Sequence, residues 1–248
     1  MYEIILYVSF GILPSLIWLF YYLRKDAHPE PQRMIIKIFL YGMLVTVPVF
    51  FTQIGLSEFL RQFAAIEMFA GLPILISILK WFVVIALTEE LFKYLVFKLS
   101  VQRSSALDEP LDVMLYMVIV ALGFAALENI LYLFSPINSA ISFSEVVKTT
   151  AMISFIRFIG ATFLHTLCSA LLGYFLALSF CNTQKRIQYA ATGMFLAVLL
   201  HGLYDFSIME LQHPFNVMVP MAVVLGLAVF MVYAFRQIKK LKDVCKIN

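Results

Sequence analysis

Acidic and basic side chains interrupt an apolar stretch of this sequence, "IALTEELFKYLVF", at residues 85–97. Glu89, Glu90 and Lys93 stand there among leucine, isoleucine, phenylalanine and valine. Residues three and four positions apart are neighbours on a helix, so Lys93 can pair with either glutamate but can neutralise only one of them. The other carboxylate then remains able to take up a proton, which is what a general base does.

Three later apolar stretches carry further groups of the kind that acid–base chemistry uses. They are "ALENILY" at residues 126–132, "FIRFIGATFLHTLCS" at 155–169 and "HGLYDF" at 201–206. Their candidate site residues are Glu128, Asn129, Arg157, His165, His201 and Asp205. An ion pair that only fixes helix packing would account for one glutamate and Lys93, but not for this larger set.

Two hydrolytic mechanisms use these side chains. In the first, a glutamate kept from bulk water acts as general base on a water molecule that one histidine helps to hold, and a second histidine stabilises the oxyanion formed at a peptide carbonyl. In the second, Glu89, His165 and His201 bind a divalent metal such as zinc, which activates the water. The sequence lacks the H-E-x-x-H motif of many zinc peptidases, so we favour the first mechanism, with no metal cofactor.

The same groups also suit a different function. A charged side chain at the middle of a membrane helix costs about 2.5–3.5 kcal/mol, so such residues face the interior of a helical bundle and mark functional sites. Proton relays use the same residue types, which makes a proton- or ion-coupled transporter or channel the alternative to a peptidase. The sequence shows no inverted repeat of the kind common in transporters, so we favour the peptidase.

The composition identifies the elements that hold these residues as membrane helices. The 248 residues are 62% hydrophobic and 13% charged, with a mean hydropathy of +0.93, whereas soluble domains are about 25% charged. Apolar runs of about 20 residues, the length that crosses a bilayer, predict seven spans: 3–23, 35–56, 73–97, 113–134, 150–180, 188–209 and 217–235. We therefore predict an all-α, polytopic helical bundle that forms one integral-membrane domain over residues 1–248.

Further features concern the ends of these spans. Most lysines and arginines lie in the loops and tail of one side, opposite Arg61 and Lys148, which predicts an outside N-terminus and a cytoplasmic C-terminus. They are too scattered for a nucleic-acid-binding surface. The half-charged segment at 57–72 predicts an interfacial or re-entrant helix. Three cysteines without paired spacing, Cys168, Cys181 and Cys245, are predicted to be free thiols.

Four short motifs together resemble the PrsW family of intramembrane proteases, which is similar to the CAAX-protease and bacteriocin-processing superfamily. "TEELFKY" resembles its E-E-x-x-K motif, "ENILY" its E-N motif, "HGLYDF" its H-x-x-x-D motif, and "DAHPEP" its early loop signature. The resemblance covers about residues 26–205. The C-terminal helix and basic tail, residues 217–248, lie outside it.

The resemblance implies roles for several of these residues. Glu89 and Glu90 would be the catalytic glutamates, with Glu89 as base, and His201 would belong to the catalytic histidine motif. His165 is included because of its spacing, since the superfamily motif F-x-x-x-H has Ala161 here in place of phenylalanine. Supporting residues would be Lys93, Glu128, Asn129, Arg157 and Asp205. The expected substrate is a membrane-anchored protein at the bacterial cell membrane, such as an anti-sigma factor.

Overall fold

The computed structural model describes residues 2–24, 29–66, 71–134, 143–241 and 245. Every regular element in these residues is a helix. The elements are α1 (Tyr2–Leu23), α2 (Gln32–Ala64), α3 (Pro73–Ile78), a π-helix (Leu79–Leu87), α4 (Thr88–Ser100), α5 (Pro110–Leu133), α6 (Phe143–Ile159), α7 (Ala161–Cys181), a short 3-10 helix (Thr183–Lys185), α8 (Arg186–Glu210) and α9 (Phe215–Leu241). The predicted all-α membrane bundle is confirmed.

The number of spans agrees closely with the seven that were predicted. Within the described residues, six helical segments are long and apolar enough to cross a membrane. The predicted third span consists of α3, the π-helix and α4, which follow one another without a gap over residues 73–100. π-Helical segments are rare and frequently adjoin functional sites, and this one ends directly before Thr88 and the two glutamates.

Two predicted boundaries differ from the structure. Within the predicted interfacial segment 57–72, residues 57–64 continue α2 and form no separate helix, and residues 67–70 lie outside the described part of the chain. Helix α2 has 33 residues and is therefore about 50 Å long, so its polar end, where Arg61 pairs with Glu58, extends beyond the apolar core of a bilayer. The predicted span 150–180 is interrupted at Gly160, which separates α6 from α7. A Cβ atom at Gly160 would lie 2.6 Å from Tyr204 Oη, so a larger residue there would displace that hydroxyl.

Helix α5 lies at the centre of the bundle, and every residue from Pro110 to Ala126 is buried. Glycines bring its neighbours close to it. A Cβ atom at Gly42 of α2 would lie 2.2 Å from the Val120 carbonyl oxygen, and one at Gly173 of α7 would lie 2.8 Å from Met114 Cα. Small residues at such contacts are the usual means of packing membrane helices. Helices α2 and α7 are thereby held against α5, which positions the polar groups that all three carry.

The cysteine prediction was wrong for two of the three residues. Cys181, at the end of α7, forms a disulfide with Cys245, which follows α9. Only Cys168 is a free thiol among the described residues, and it is buried. The paired residues are 64 positions apart, and the fold brings them together by placing the end of α9 beside the end of α7. Spacing along the sequence contains no sign of that contact.

Candidate active site

The double glutamate lies in the first turn of α4, inside the bundle. Glu90 and Lys93 are fully buried and Glu89 is 4% exposed. The Lys93 ammonium nitrogen lies 2.8 Å from Glu90 Oε1 and 3.6 Å from Glu89 Oε2. Lys93 therefore forms its close ion pair with Glu90. Glu89 is therefore the carboxylate without a close ion pair to Lys93. The spacing of the sequence did not show which of the two glutamates this would be.

His201 of α8 contacts both glutamates. Its Nδ1 lies 2.9 Å from Glu90 Oε1, while its Nε2 lies 3.7 Å from Glu89 Oε2 and 3.3 Å from Asp205 Oδ2. The Nδ1 contact fixes the ring orientation, because a histidine that hydrogen-bonds a carboxylate through one nitrogen presents the other in a defined direction. That other nitrogen, Nε2, lies near both Asp205 and Glu89.

His165 of α7 makes the corresponding contacts from the opposite side. Its Nε2 lies 2.9 Å from Glu128 Oε2, and its Nδ1 lies 3.8 Å from Glu89 Oε2 and 2.9 Å from the Lys93 ammonium nitrogen. The two histidine rings are 5.0 Å apart between centroids. Each ring thus has one nitrogen at 2.9 Å from the carboxylate of Glu90 or Glu128 and the other at 3.7–3.8 Å from Glu89 Oε2, although the two histidines come from different helices.

The other supporting residues surround Glu128. Arg157 Nη2 donates to Glu128 Oε2 at 2.7 Å, and Arg157 Nε donates to Asn129 Oδ1 at 2.5 Å. The Arg157 guanidinium also lies over the Tyr132 ring, 3.9 Å from its centroid. Arg157 of α6 therefore holds Glu128 of α5 in place. The other partner of Glu128, His165, lies on α7, after the break at Gly160.

Exposure shows from which side the cluster is reached. The side chains of Glu128 and Asp205 are 22% and 23% exposed, whereas those of Glu89 and His201 are 6% and 2% exposed. Glu128 and Asp205 belong to α5 and α8. The more exposed side of the cluster is therefore formed by α5 and α8, and Glu89 and His201 lie deeper in the bundle.

All nine candidate residues are thus brought into one connected cluster, while two other sequence features lie elsewhere. Lys80, another basic residue of the third span, is exposed and lies over the Trp81 ring. In the early loop signature, Glu30 accepts a hydrogen bond from the Tyr116 hydroxyl. Tyr116 is 12 residues before Glu128, or about 18 Å along α5, so this loop supports the opposite end of that helix. Residues 25–28 of the loop are outside the described part of the chain.

Sequence reasoning missed one polar partner of Glu89. Gln53 Nε2 of α2 donates to Glu89 Oε1 at 3.1 Å. The available signal was a single amide side chain within a largely apolar span. Ser169, four residues after His165, adds a weaker contact by donating to Glu90 Oε2 at 3.4 Å.

Glu89 Oε2 is the least satisfied polar atom of the cluster. It is buried and has no hydrogen-bond partner among the described residues. Three nitrogens, on Lys93, His165 and His201, surround it at 3.6–3.8 Å. A buried polar atom without a partner is unusual and calls for an explanation, such as a ligand bound at that position.

The donor set fits a divalent metal. Glu89, His165 and His201 each offer one ligand atom, and these atoms lie within 4.8 Å of one another. Glutamate with two histidines is a ligand set of hydrolytic zinc sites. The carboxylates of Glu90 and Glu128 behind the two histidines match the outer partners that usually orient metal-bound histidines.

Peptide hydrolysis within a bilayer requires a water-activating group that is held among helices and still reached from one side. A helical membrane bundle that encloses glutamates and histidines in this way has the features of an intramembrane peptidase. Comparison with known sequences gives the family. The chain belongs to the PrsW family, because its residues 30–234 match the family described as "PrsW family intramembrane metalloprotease".

Individual relatives agree with this assignment. The chain is 32% identical over 200 residues to "Protease PrsW" of Oceanobacillus iheyensis, covering 80% of this chain and 81% of that protein. It is 28% identical over 239 residues to "Protease PrsW" of Bacillus subtilis, covering 96% of each. No solved structure matches it. The expected family is confirmed, and the chain is a multi-pass membrane peptidase.

Proposed function

We propose that this chain hydrolyses a peptide bond of a membrane-anchored protein at the cluster of Glu89, His165 and His201. The observation that carries this proposal is the buried, unpartnered Glu89 Oε2, surrounded by nitrogens of Lys93 and both histidines. A site within the bundle acts on a substrate that reaches it through the bilayer. An anti-sigma-factor-like protein in a bacterial membrane is such a substrate, and nucleic acid has no part in the reaction.

The three residues would hold a divalent metal such as zinc. A bound divalent ion promotes deprotonation of water and polarises a peptide carbonyl. The sequence favoured a mechanism without a metal, whereas two observations favour a metal here. Each histidine contacts a carboxylate through one ring nitrogen, which leaves the other for a metal, and the family is described as an intramembrane metalloprotease. Glu90 and Glu128 orient His201 and His165, and the surrounding apolar side chains exclude bulk water.

One contact favours a second candidate, in which no metal is used. The Lys93 ammonium nitrogen lies 2.9 Å from His165 Nδ1, the nitrogen that would bind the metal. In this candidate the Lys93 ammonium supplies the positive charge that a metal would otherwise supply, and Glu89 takes the proton from the attacking water as general base. His201, oriented by Glu90 through Nδ1, donates from Nε2 to the developing oxyanion. Both candidates use the same side chains and differ in the role of Glu89.

Cleavage of a single-pass membrane substrate by the purified protein in liposomes tests the proposed function. We expect Glu89→Gln, Glu90→Gln and His201→Ala each to abolish cleavage while the protein remains folded. Glu58→Gln is the matched control, since Glu58 pairs with Arg61 at the exposed end of α2, and it should cleave normally. Undiminished cleavage by all three site variants would overturn the peptidase proposal for this cluster, and proton flux through the same liposomes would then favour the transporter alternative.

The orientation in the membrane remains a prediction. The described lysines and arginines of the loop before α2, of the α4–α5 and α7–α8 connections and of the end of α9 support a cytoplasmic location for the C-terminus and an outside location for the N-terminus. Reporter fusions to the two termini would test it, and an active cytoplasmic reporter at the N-terminus would contradict it.

A further inference from the structure

Gln53 contacts the reactive glutamate, although no motif of the chain includes it. Its Nε2 lies 3.1 Å from Glu89 Oε1 and 3.5 Å from Thr88 Oγ1. An ionised carboxylate accepts hydrogen bonds and donates none. The structure places the nitrogen of the Gln53 amide, and not its oxygen, against Glu89, which is the arrangement that an ionised carboxylate requires.

The position of Gln53 follows from the packing of α2. The helix buries Ile38, Gly42, Thr46 and Val49 towards the bundle, and Gln53 continues this stripe at helical spacing. The close contact between Gly42 and the Val120 carbonyl oxygen fixes α2 along α5. The Gln53 amide is therefore held at a set depth in the bundle and does not depend on a flexible loop.

We infer that Gln53 is a positioning residue for the hydrolysis. Its hydrogen bond occupies Glu89 Oε1, whereas Oε2, which faces His165 and His201, has no hydrogen-bond partner in the described part of the chain. Without that bond, the carboxylate is free to rotate about its last torsion and to pair more closely with the nearby Lys93. Gln53 thereby keeps one oxygen of Glu89 available. This inference rests on the proposed function, since that oxygen matters only if Glu89 takes part in the reaction.

Gln53→Met tests the inference, because methionine has a similar length and no N–H group. We expect kcat to fall about 10–100-fold, the usual effect of losing a partner of a metal-site or catalytic side chain, with KM changed less than about twofold. Zinc affinity, measured by competition with a chromogenic chelator, should weaken by a similar factor. Gln53→His should restore much of the activity, because its Nε2–H can donate from nearly the same place as the glutamine amide.

Gln62→Met is the matched control. Gln62 belongs to the same helix and donates to Glu58 Oε1 at 3.0 Å. This contact lies at the exposed end of α2, so the loss of the Gln62 amide should leave kcat and zinc affinity unchanged. An unchanged kcat in Gln53→Met would overturn the inference. A changed KM with normal kcat would also overturn it, since Gln53 would then contact substrate. Equal losses in Gln53→Met and Gln53→His, together with lower unfolding temperatures, would assign Gln53 a packing role and overturn it as well.

Glu89→Gln in the same assay distinguishes this inference from the proposed function. If Glu89→Gln is inactive and Gln53→Met cleaves normally, only the role of Gln53 is rejected. If Glu89→Gln cleaves normally, the proposed function is rejected, and the role of Gln53 with it.

Discussion

The Lys93 ammonium nitrogen lies 2.8 Å from Glu90 Oε1, inside the bundle and out of contact with water. This contact gives two adjacent glutamates different surroundings. Glu90 pairs with Lys93 and also contacts His201, whereas Glu89 Oε2 has no hydrogen-bond partner among the described residues. The lysine is therefore as much a part of the cluster as the carboxylates.

Replacing Lys93 by methionine should strongly destabilise the protein. Removing one partner of a buried ion pair leaves an uncompensated charge, which costs about 3–5 kcal/mol. Thermal unfolding in detergent would measure the loss. The double variant Lys93→Met/Glu90→Gln should regain much of that stability and remain inactive, because His201 loses its oriented partner. Equal stability of Lys93→Met and the unaltered protein would contradict the ion-pair assignment.

Replacing Arg157 by lysine should reduce catalysis more than stability. The guanidinium bonds Glu128 and Asn129 at once, and an ammonium group cannot reproduce that planar geometry. Because Glu128 orients His165, kcat should fall about 10–100-fold. Arg61→Lys is the matched control, since Arg61 bonds the exposed Glu58 with two nitrogens. Equal kcat in both variants would show that Arg157 does not act through His165.

Chelation should distinguish the two candidate mechanisms. If Glu89, His165 and His201 hold a metal, then 1,10-phenanthroline should abolish cleavage and added zinc should restore it. The inactive analogue 1,7-phenanthroline is the control for effects on the membrane. Full activity after exhaustive chelation would reject the metal and leave Glu89 as general base.

The contact between α2 and α5 should tolerate no side chain at Gly42. A Cβ atom there would lie 2.2 Å from a backbone oxygen, so Gly42→Ala forces the helices apart and should cost about 1–3 kcal/mol of stability. Activity should fall as well, because α2 also positions Gln53. Gly55→Ala on the same helix is the control, since a Cβ there meets nothing within 4 Å. Unfolding temperatures and cleavage rates that match between the variants would contradict this packing role.

The disulfide should stabilise the purified protein under oxidising conditions. Cys181 and Cys245 close a loop with a sequence separation of 64, for which the chain-entropy model gives about 4 kcal/mol. Reductant should therefore lower the unfolding temperature of the unaltered protein but not of Cys181→Ser. If the C-terminus is cytoplasmic, both thiols should react with maleimide in freshly lysed cells, since that compartment keeps thiols reduced.

The sequence predicted best those site residues whose burial in a membrane costs the most free energy. Glu89, Glu90, Glu128, His165 and His201 stood out because ionisable groups in apolar spans need partners, and the structure places these residues together. Gln53 was not predicted as a site residue, because a neutral amide costs much less free energy to bury than an ionisable group does. In addition, no ionisable residue of α2 lies beside it. The predicted bundle is confirmed, since long apolar runs have few alternatives in a bilayer.

Other features depended on contacts that a linear pattern does not encode. The choice between Glu89 and Glu90 as the free carboxylate required the direction of the Lys93 side chain. The pairing of Cys181 with Cys245 required the relative placement of two helix ends. The continuation of α2 through residues 57–64 shows the same limit, because an amphipathic pattern does not reveal whether a helix ends at the membrane surface or extends beyond it.

The enclosure of α5 has a consequence for biogenesis. This helix is apolar enough to insert into lipid by itself, yet most of it has no lipid contact in the finished bundle. Among the described helices, α7 covers it most extensively, and α7 begins 28 residues after α5 ends. During synthesis α1 and α2 are present to cover part of α5, and its enclosure is completed only when α7 arrives. The cluster of Glu89, His165 and His201 is consequently complete only after α7 and α8 have joined the bundle.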